Sequence, residues 1–218
     1  MDAGNDFQKL LAEVQEVGRL YDGVVFIGGI AVYLHAINHE AISDYVEATQ
    51  DADFYISLSS LSDLREIEEL VPNSRLSKHE FKRRQFSFDV YAERQSLLPV
   101  PYDQVAAHAV DYDGIRVAAL EDLLVLKLEA AADRHASEHG RKDAKDVIRI
   151  LLLASHAGFD ARRSVAYMQP RHFERLGRIV EGPEFTALAQ GNAKLAKLLR
   201  QQASRVFQGI EGAYGGEG

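Results

Sequence analysis

The sequence predicts an α/β (α+β) protein: a mixed β-sheet with flanking helices, followed by a C-terminal helical bundle. Three observations carry this expectation. Short runs rich in β-branched and aromatic residues recur through the first half, VVFI at 24–27, DFYIS at 53–57 and QFSFDVYAE at 85–93. Apolar residues at helical spacing separate them. From Leu120 onward only the helical period remains. The expected division is 1–118 for the α/β part, 119–212 for the helical part and 213–218 for a flexible tail.

Asn5 or Asp6 is placed to cap a first helix with Phe7, Leu10, Leu11, Val14 and Val17 on one side. The VVFI run reads as a buried strand and ends at Gly28-Gly29, after which IAVYLHAI reads as a helix. Backbone N–H groups exposed at such a helix start suit phosphate; a tight turn with close packing is the plainer reading of a glycine pair alone. The next strand, TQDADFYIS, carries Asp51 and Asp53 two apart, so both carboxylates share one face. Such a pair is poor core material and good ligation for a divalent cation. Ser59 or Ser60 is expected to cap a helix through Leu61, Leu64, Ile67 and Val71, stopped by Pro72.

The stretch SRLSKHEFKRR has no clear period. In QFSFDVYAE, Phe86, Phe88 and Val90 take one face and Ser87, Asp89 and Tyr91 the other. Asp89 reads either as an edge-strand acid in water or, alongside Asp51 and Asp53, as a third cation ligand. Strands at about 105–110 and 115–118 are expected around a Tyr112-Asp113-Gly114 turn. Leu120, Leu123, Leu124, Leu128 and Ala131 then form a helical stripe containing Lys127, which should point inward and meet Asp143 of the following helix. A short helix from Ala161, another after Gly182-Pro183 and a last one lined by Leu195, Leu198, Leu199, Val206 and Ile210 complete the chain. Lys194, Lys197, Arg200 and Arg205 give that helix a basic side, ordinarily a solvated face. His35/His39 and His135/His139 have zinc-compatible spacing but no accompanying third ligand, and read as ordinary histidines.

Composition narrows the function classes. A net charge of −8 argues against a protein that coats nucleic acid, while leaving local basic clusters at Lys82-Arg83-Arg84, Arg141-Lys142 and Arg162-Arg163. With no cysteine there is neither a disulfide framework nor a thiolate metal site. No apolar run approaches the roughly twenty residues of a membrane span. The polar, acidic first residues lack a signal-peptide pattern, so a cytoplasmic location is expected.

A strand ending in Gly28-Gly29, a strand with Asp51-x-Asp53 and a strand with Asp89, in that order, resemble the nucleotidyltransferase fold of the DNA polymerase β superfamily. Downstream, Leu120-Glu121-Asp122-Leu123, Lys127-Leu128, Ala130, Arg134 and Lys142-Asp143-x-x-Asp146-Val147 resemble the helical signature of AbiEii-type and MenT-type nucleotidyltransferase toxins. The resemblance implies a nucleoside triphosphate substrate and two Mg²⁺ ions (or Mn²⁺), bridged by Asp51 and Asp53. Asp89 would bind one ion and help deprotonate the acceptor. It places the β- and γ-phosphates on backbone N–H groups near Gly28 and Gly29, and has Thr49 bond a phosphate or brace its strand. Lys127 would contact phosphate, Asp143 would orient Lys127 or the acceptor, and Arg134 would lie in the same region. Its implied partners are an RNA or tRNA acceptor end and an antitoxin protein. The chain departs from the pattern at Glu47, where an arginine is usual, and in a stretch inserted near Gly140; Lys82 and Arg84 are the candidate replacements for the arginine. A degenerate protein that binds nucleotide or a partner without catalysis, and a small-molecule (antibiotic-type) nucleotidyltransferase, are the alternative readings.

Overall fold

The computed structural model describes residues 3–133, 138–156 and 158–216. It divides into two units, one of Met1–Leu34 and Glu47–Ala119, the other of His35–Val46 and Leu120–Gly218.

The first unit is built on a seven-stranded mixed sheet. After helix α1 (Ala3–Leu20), strand β1 (Val25–Ile27) leads directly into α2 (Gly28–Ile37), whose last residues belong to the second unit. Then follow β2 (Asp51–Ile56), α3 (Leu58–Ile67), β3 (Val71–Asn73), β4 (Lys78–Arg83), β5 (Phe86–Ala92), α4 (Tyr102–Ala107), β6 (Val110–Tyr112) and β7 (Ile115–Val117). The spatial order is β3-β4-β5-β2-β1-β7-β6. At its centre β1 runs antiparallel to β2 and parallel to β7, while β2 runs parallel to β5. One face of the central strands is aromatic: Phe54 meets Phe26, Phe81 and Phe88 at ring separations of 5.7, 6.2 and 6.5 Å. All four rings are buried, and they occupy the alternate positions that the period of two assigns to a core face.

Five local expectations are corrected. Helix α1 begins at Ala3, so Asn5 and Asp6 lie within its first turn and do not cap it. The cap of α3 is Ser57, whose hydroxyl accepts the Ser60 N–H at 3.2 Å, in place of Ser59 or Ser60. That helix stops at Ile67, and Val71 and Pro72 lie in the edge strand β3. An edge tolerates proline because one side of the strand needs no N–H donor. The unassigned stretch before Phe86 contains β4. Finally, the strand expected from Val105 is the short helix α4, consistent with its alanines and with Val105 as its one buried residue. The turn and second strand of the hairpin are as expected, but its first strand β6 is Val110–Tyr112, so Tyr112 pairs with Ile115 and the turn is Asp113-Gly114, at φ 53 and 83, the paired positive values of a two-residue hairpin turn.

The second unit is helical. A 3₁₀ turn at Ser43–Tyr45 is joined by α5 (Leu120–Asp133), α6 (Glu138–Ala154), α7 (Ala161–Val165), α8 (Pro170–Glu181), α9 (Glu184–Leu188) and α10 (Ala193–Gly215). Leu123, Leu124, Val147, Ile148, Leu151 and Leu152 are fully buried where α5 packs on α6. His172 of α8 is buried as well. Its Nδ1 accepts the Gln169 N–H at 3.1 Å, which leaves Nε2–H to donate to Glu129 at 2.7 Å. Asn192 caps α10, its Oδ1 accepting the Leu195 N–H at 3.0 Å, and the helix runs through Gly215, into the segment expected as a tail. Among the described residues no helix is long and apolar enough to cross a membrane.

Candidate active site

The polar face of the first unit's sheet gathers the carboxylates. Strand β2 places Asp53 directly opposite Asp89 of the parallel strand β5, with Asp51 opposite Ser87. Neighbouring strands lie about 4.8 Å apart, so Asp53 and Asp89 stand side by side on one face. Strand β4 extends the row, with Glu80 opposite Asp89 and Lys82 opposite Ser87.

Gly28 explains how β1 and α2 accommodate this row. Ile27 pairs with Asp53, so the chain turns into α2 beside that carboxylate. Gly28 has φ +67, and a Cβ at this position would collide with Asp53 Oδ2 and Cγ. Both its backbone conformation and its missing side chain are therefore required. The first-turn N–H groups of the ten-residue helix α2, at Gly28 and Gly29, begin beside the acid pair.

Thr49 is buried and its Oγ1 donates to Asp51 Oδ1 at 2.6 Å, so it braces the exposed Asp51 carboxylate. Asp89 has a counter-charge that sequence reasoning missed. Lys78, 8% exposed, places Nζ 2.5 Å from Asp89 Oδ2 and 3.2 Å from Glu80 Oε1. Burial pulls the Lys78 ammonium down, but the hydrogen bond and charge of Asp89, then those of Glu80, outweigh it, and the net direction is up. Glu80 is held below its usual range, first by the Asn73 amide at 2.9 Å and then by Lys78. The missed residues sit on β4, where Phe81 is the one large apolar side chain and the turns at either end use Ser77 and Arg84 at φ 50 and 52 with no glycine to mark them.

Of the two cations considered as replacements for an arginine at position 47, Arg84 is committed elsewhere. Its Nη1 lies 2.8 Å from Glu13 Oε1 on α1, while Arg83 reaches Glu13, Glu16 and Glu68. Lys82 is exposed and belongs to the carboxylate face. Glu47 is exposed in the segment before β2.

In the second unit Lys127 is buried on α5 with Nζ 3.1 Å from Asp143 Oδ1 and 2.7 Å from Asp146 Oδ2, both on α6. Arg149 extends the chain of charges, donating to Asp146 Oδ1 at 2.8 Å and to Tyr45 O at 2.7 Å. The meeting of Lys127 with Asp143 is thus present, and Asp146 and Arg149 complete a network of two acids and two bases. Two carboxylates already offset the Lys127 charge. Arg134 and His135 lie outside the described residues. The His39 and His156 rings are tilted by 45° with centroids 5.4 Å apart, and Arg200 of α10 lies over the Phe185 ring at 5.3 Å and donates to Gly182 O at 2.7 Å.

The fit of a divalent cation rests on the donor set. As the side chains stand, no three His, Asp or Glu groups among the described residues converge on a single point. The donors are nonetheless hard carboxylate oxygens on one sheet face, and the Lys78 ammonium at Asp89 shows a positive charge already held there.

No protein-family model matches the chain, and no curated protein does. Among solved structures it is similar to JHP933 from Helicobacter pylori, with 16% identity, coverage of 97% of this chain and 94% of that one, and a TM-score of 0.55. It is also similar to a "putative nucleotidyltransferase" from H. pylori, with 14% identity, 97% of each chain covered and a TM-score of 0.54. At these identities the likeness is one of fold. The chain has a nucleotidyltransferase-like fold.

Proposed function

We propose that this chain is a metal-dependent nucleotidyltransferase that moves a nucleoside monophosphate from a nucleoside triphosphate to an acceptor hydroxyl, whose oxygen bonds to the α-phosphorus as the bond to the departing pyrophosphate breaks. The observation that carries the reading is the in-register pair Asp53 and Asp89 beside Gly28, with Asp51 braced next to them by Thr49. Two Mg²⁺ ions (or Mn²⁺), held by Asp51, Asp53 and Asp89, would supply charge neutralisation for the attacking and leaving oxygens of an in-line displacement. The chain's own groups do the rest. N–H groups at the start of α2 bind the β- and γ-phosphates, where the helix end favours negative charge. Asp89 takes the acceptor proton, and Lys78 holds Asp89 in orientation until the substrate arrives. Lys127 and Asp143, with Asp146 and Arg149, hold α5 and α6 in register. An RNA or tRNA end as acceptor, and a role as the toxin of a toxin–antitoxin pair, follow from the AbiEii-type and MenT-type resemblance of 120–147.

Incubation with labelled nucleoside triphosphates, Mg²⁺ and total RNA tests the reading. Label should enter RNA with the native chain and not with Asp51→Ala or Asp53→Asn. Nucleotide binding without transfer to RNA or to any small hydroxyl acceptor would leave the fold and remove the activity.

A further inference from the structure

The second unit contains a cavity of about 230 Å³ bordered by α5, α6, α8 and α9, which the proposed transfer does not use. Three arginines line it: Arg141 from α6 and Arg175 and Arg178 from α8. Arg175 and Arg178 are three apart and so share a helix face. Among the described residues neither Arg141 nor Arg178 is ion-paired; Arg178 makes only a long 3.4 Å contact from Nε to Glu174 O. Concentrated positive charge of this kind is notable in a chain of net charge −8.

The remainder of the lining defines what accompanies the anion. Ala131, Ala144 and Ile179 form a buried apolar floor. A Cβ on Gly182 would run into Glu184 Oε2, so that carboxylate folds back over the glycine at the rim. Three fork-shaped donors, one acceptor and an apolar floor match an ester of phosphoric acid whose organic part bears a hydroxyl.

We propose that this cavity binds the phosphate group of a hydroxyl-bearing phosphate ester, with Arg141, Arg175 and Arg178 on the phosphate and Glu184 on the hydroxyl. A free nucleoside monophosphate and the phosphorylated end of an RNA strand present the same chemistry. The proposal does not rest on the transfer reaction.

Calorimetry on the full chain in EDTA, with the carboxylate row free of divalent cations, tests it. The probes are adenosine, adenosine 5′-monophosphate and a short oligoribonucleotide with a 5′-phosphate. At least one phosphorylated probe should bind while adenosine does not. Arg141→Gln with Arg178→Gln should weaken that binding about tenfold or more, the scale of losing charge-assisted hydrogen bonds. Asp53→Asn should leave it unchanged, which separates this cavity from the transfer site. Binding of the mononucleotide identifies a small ligand, and binding of the oligonucleotide alone identifies a strand end. Both arginines are exposed, so the double variant should keep its circular dichroism and urea midpoint; the single variant Arg178→Glu gives a second reading if it does not. Equal affinity in native and variant chains, or no binding of either phosphorylated probe, overturns the proposal.

Discussion

Gly28 and Lys78 place opposite demands on the carboxylate row. Gly28 admits Asp53 by having no side chain, and Lys78 steadies Asp89 by bringing a charge. Gly28→Ala should cost about 1–2 kcal/mol from the left-handed backbone alone. The added collision with Asp53 raises the loss, to be read as a lowered urea midpoint. Lys78→Met keeps the bulk of the side chain and removes its cation. It leaves Asp53, Asp89 and Glu80 as neighbouring acids and should lower stability by about 1.5–3 kcal/mol, the range for a hydrogen bond to a charged group. Added Mg²⁺ should restore more of that loss in Lys78→Met than it adds to the native chain. Equal effects of Mg²⁺ on both midpoints would sink the assignment of this row as a cation site.

At the level of elements, the sheet and the α5–α6 pair are stabilised by different forces. In the sheet, β1, β2, β4 and β5 each contribute a ring to one aromatic face, and burial of those rings fixes which face of β2 is left for Asp51 and Asp53. Between α5 and α6 a leucine-rich contact encloses the Lys127–Asp143–Asp146–Arg149 network. Lys127→Ala would leave two buried carboxylates facing one arginine, at a cost of about 3–5 kcal/mol. Lys127→Met with Asp143→Asn and Asp146→Asn should recover part of it, since replacing a whole network by neutral groups is cheaper than breaking it. Chemical denaturation of the two variants gives the comparison. Little of this pairing beyond Lys127 and Asp143 was legible beforehand: Asp146 lay within the resembling motif, but its partner Arg149 had no sequence mark. β4 was illegible for another reason, since its alternation puts Lys78, Glu80 and Lys82 against a face with one phenylalanine.

For the whole molecule, proton linkage points to an alkaline limit. Burial raises the Tyr21, Tyr33, Tyr55, Tyr102 and Tyr112 phenols above their ordinary 10.0, and Lys78 is raised above 10.5. In each case the folded chain keeps a proton that the unfolded chain has begun to lose. The associated stability is present below these ordinary values and declines as pH rises through the raised ones. Urea midpoints measured from pH 8 to pH 11 should be level at first and fall beyond about pH 10. Lys78→Met should shorten the fall by the lysine's share and leave the tyrosine share in place.

Taken by itself, the sequence determined the class of fold, the strand pair bearing Asp51, Asp53 and Asp89, the glycine turn before them and the inward Lys127. Each of these follows from local spacing: a period of two for strands, 3.6 for helices, and a glycine where the backbone must turn. Tertiary structure decided the partners. Only strand pairing brings Asp53 level with Asp89, sets Gly28 against Asp53 and delivers Lys78 to Asp89. Only helix packing brings Arg141 of α6 to the same cavity as Arg175 and Arg178 of α8. Such contacts join residues far apart along the chain, and no local period records them.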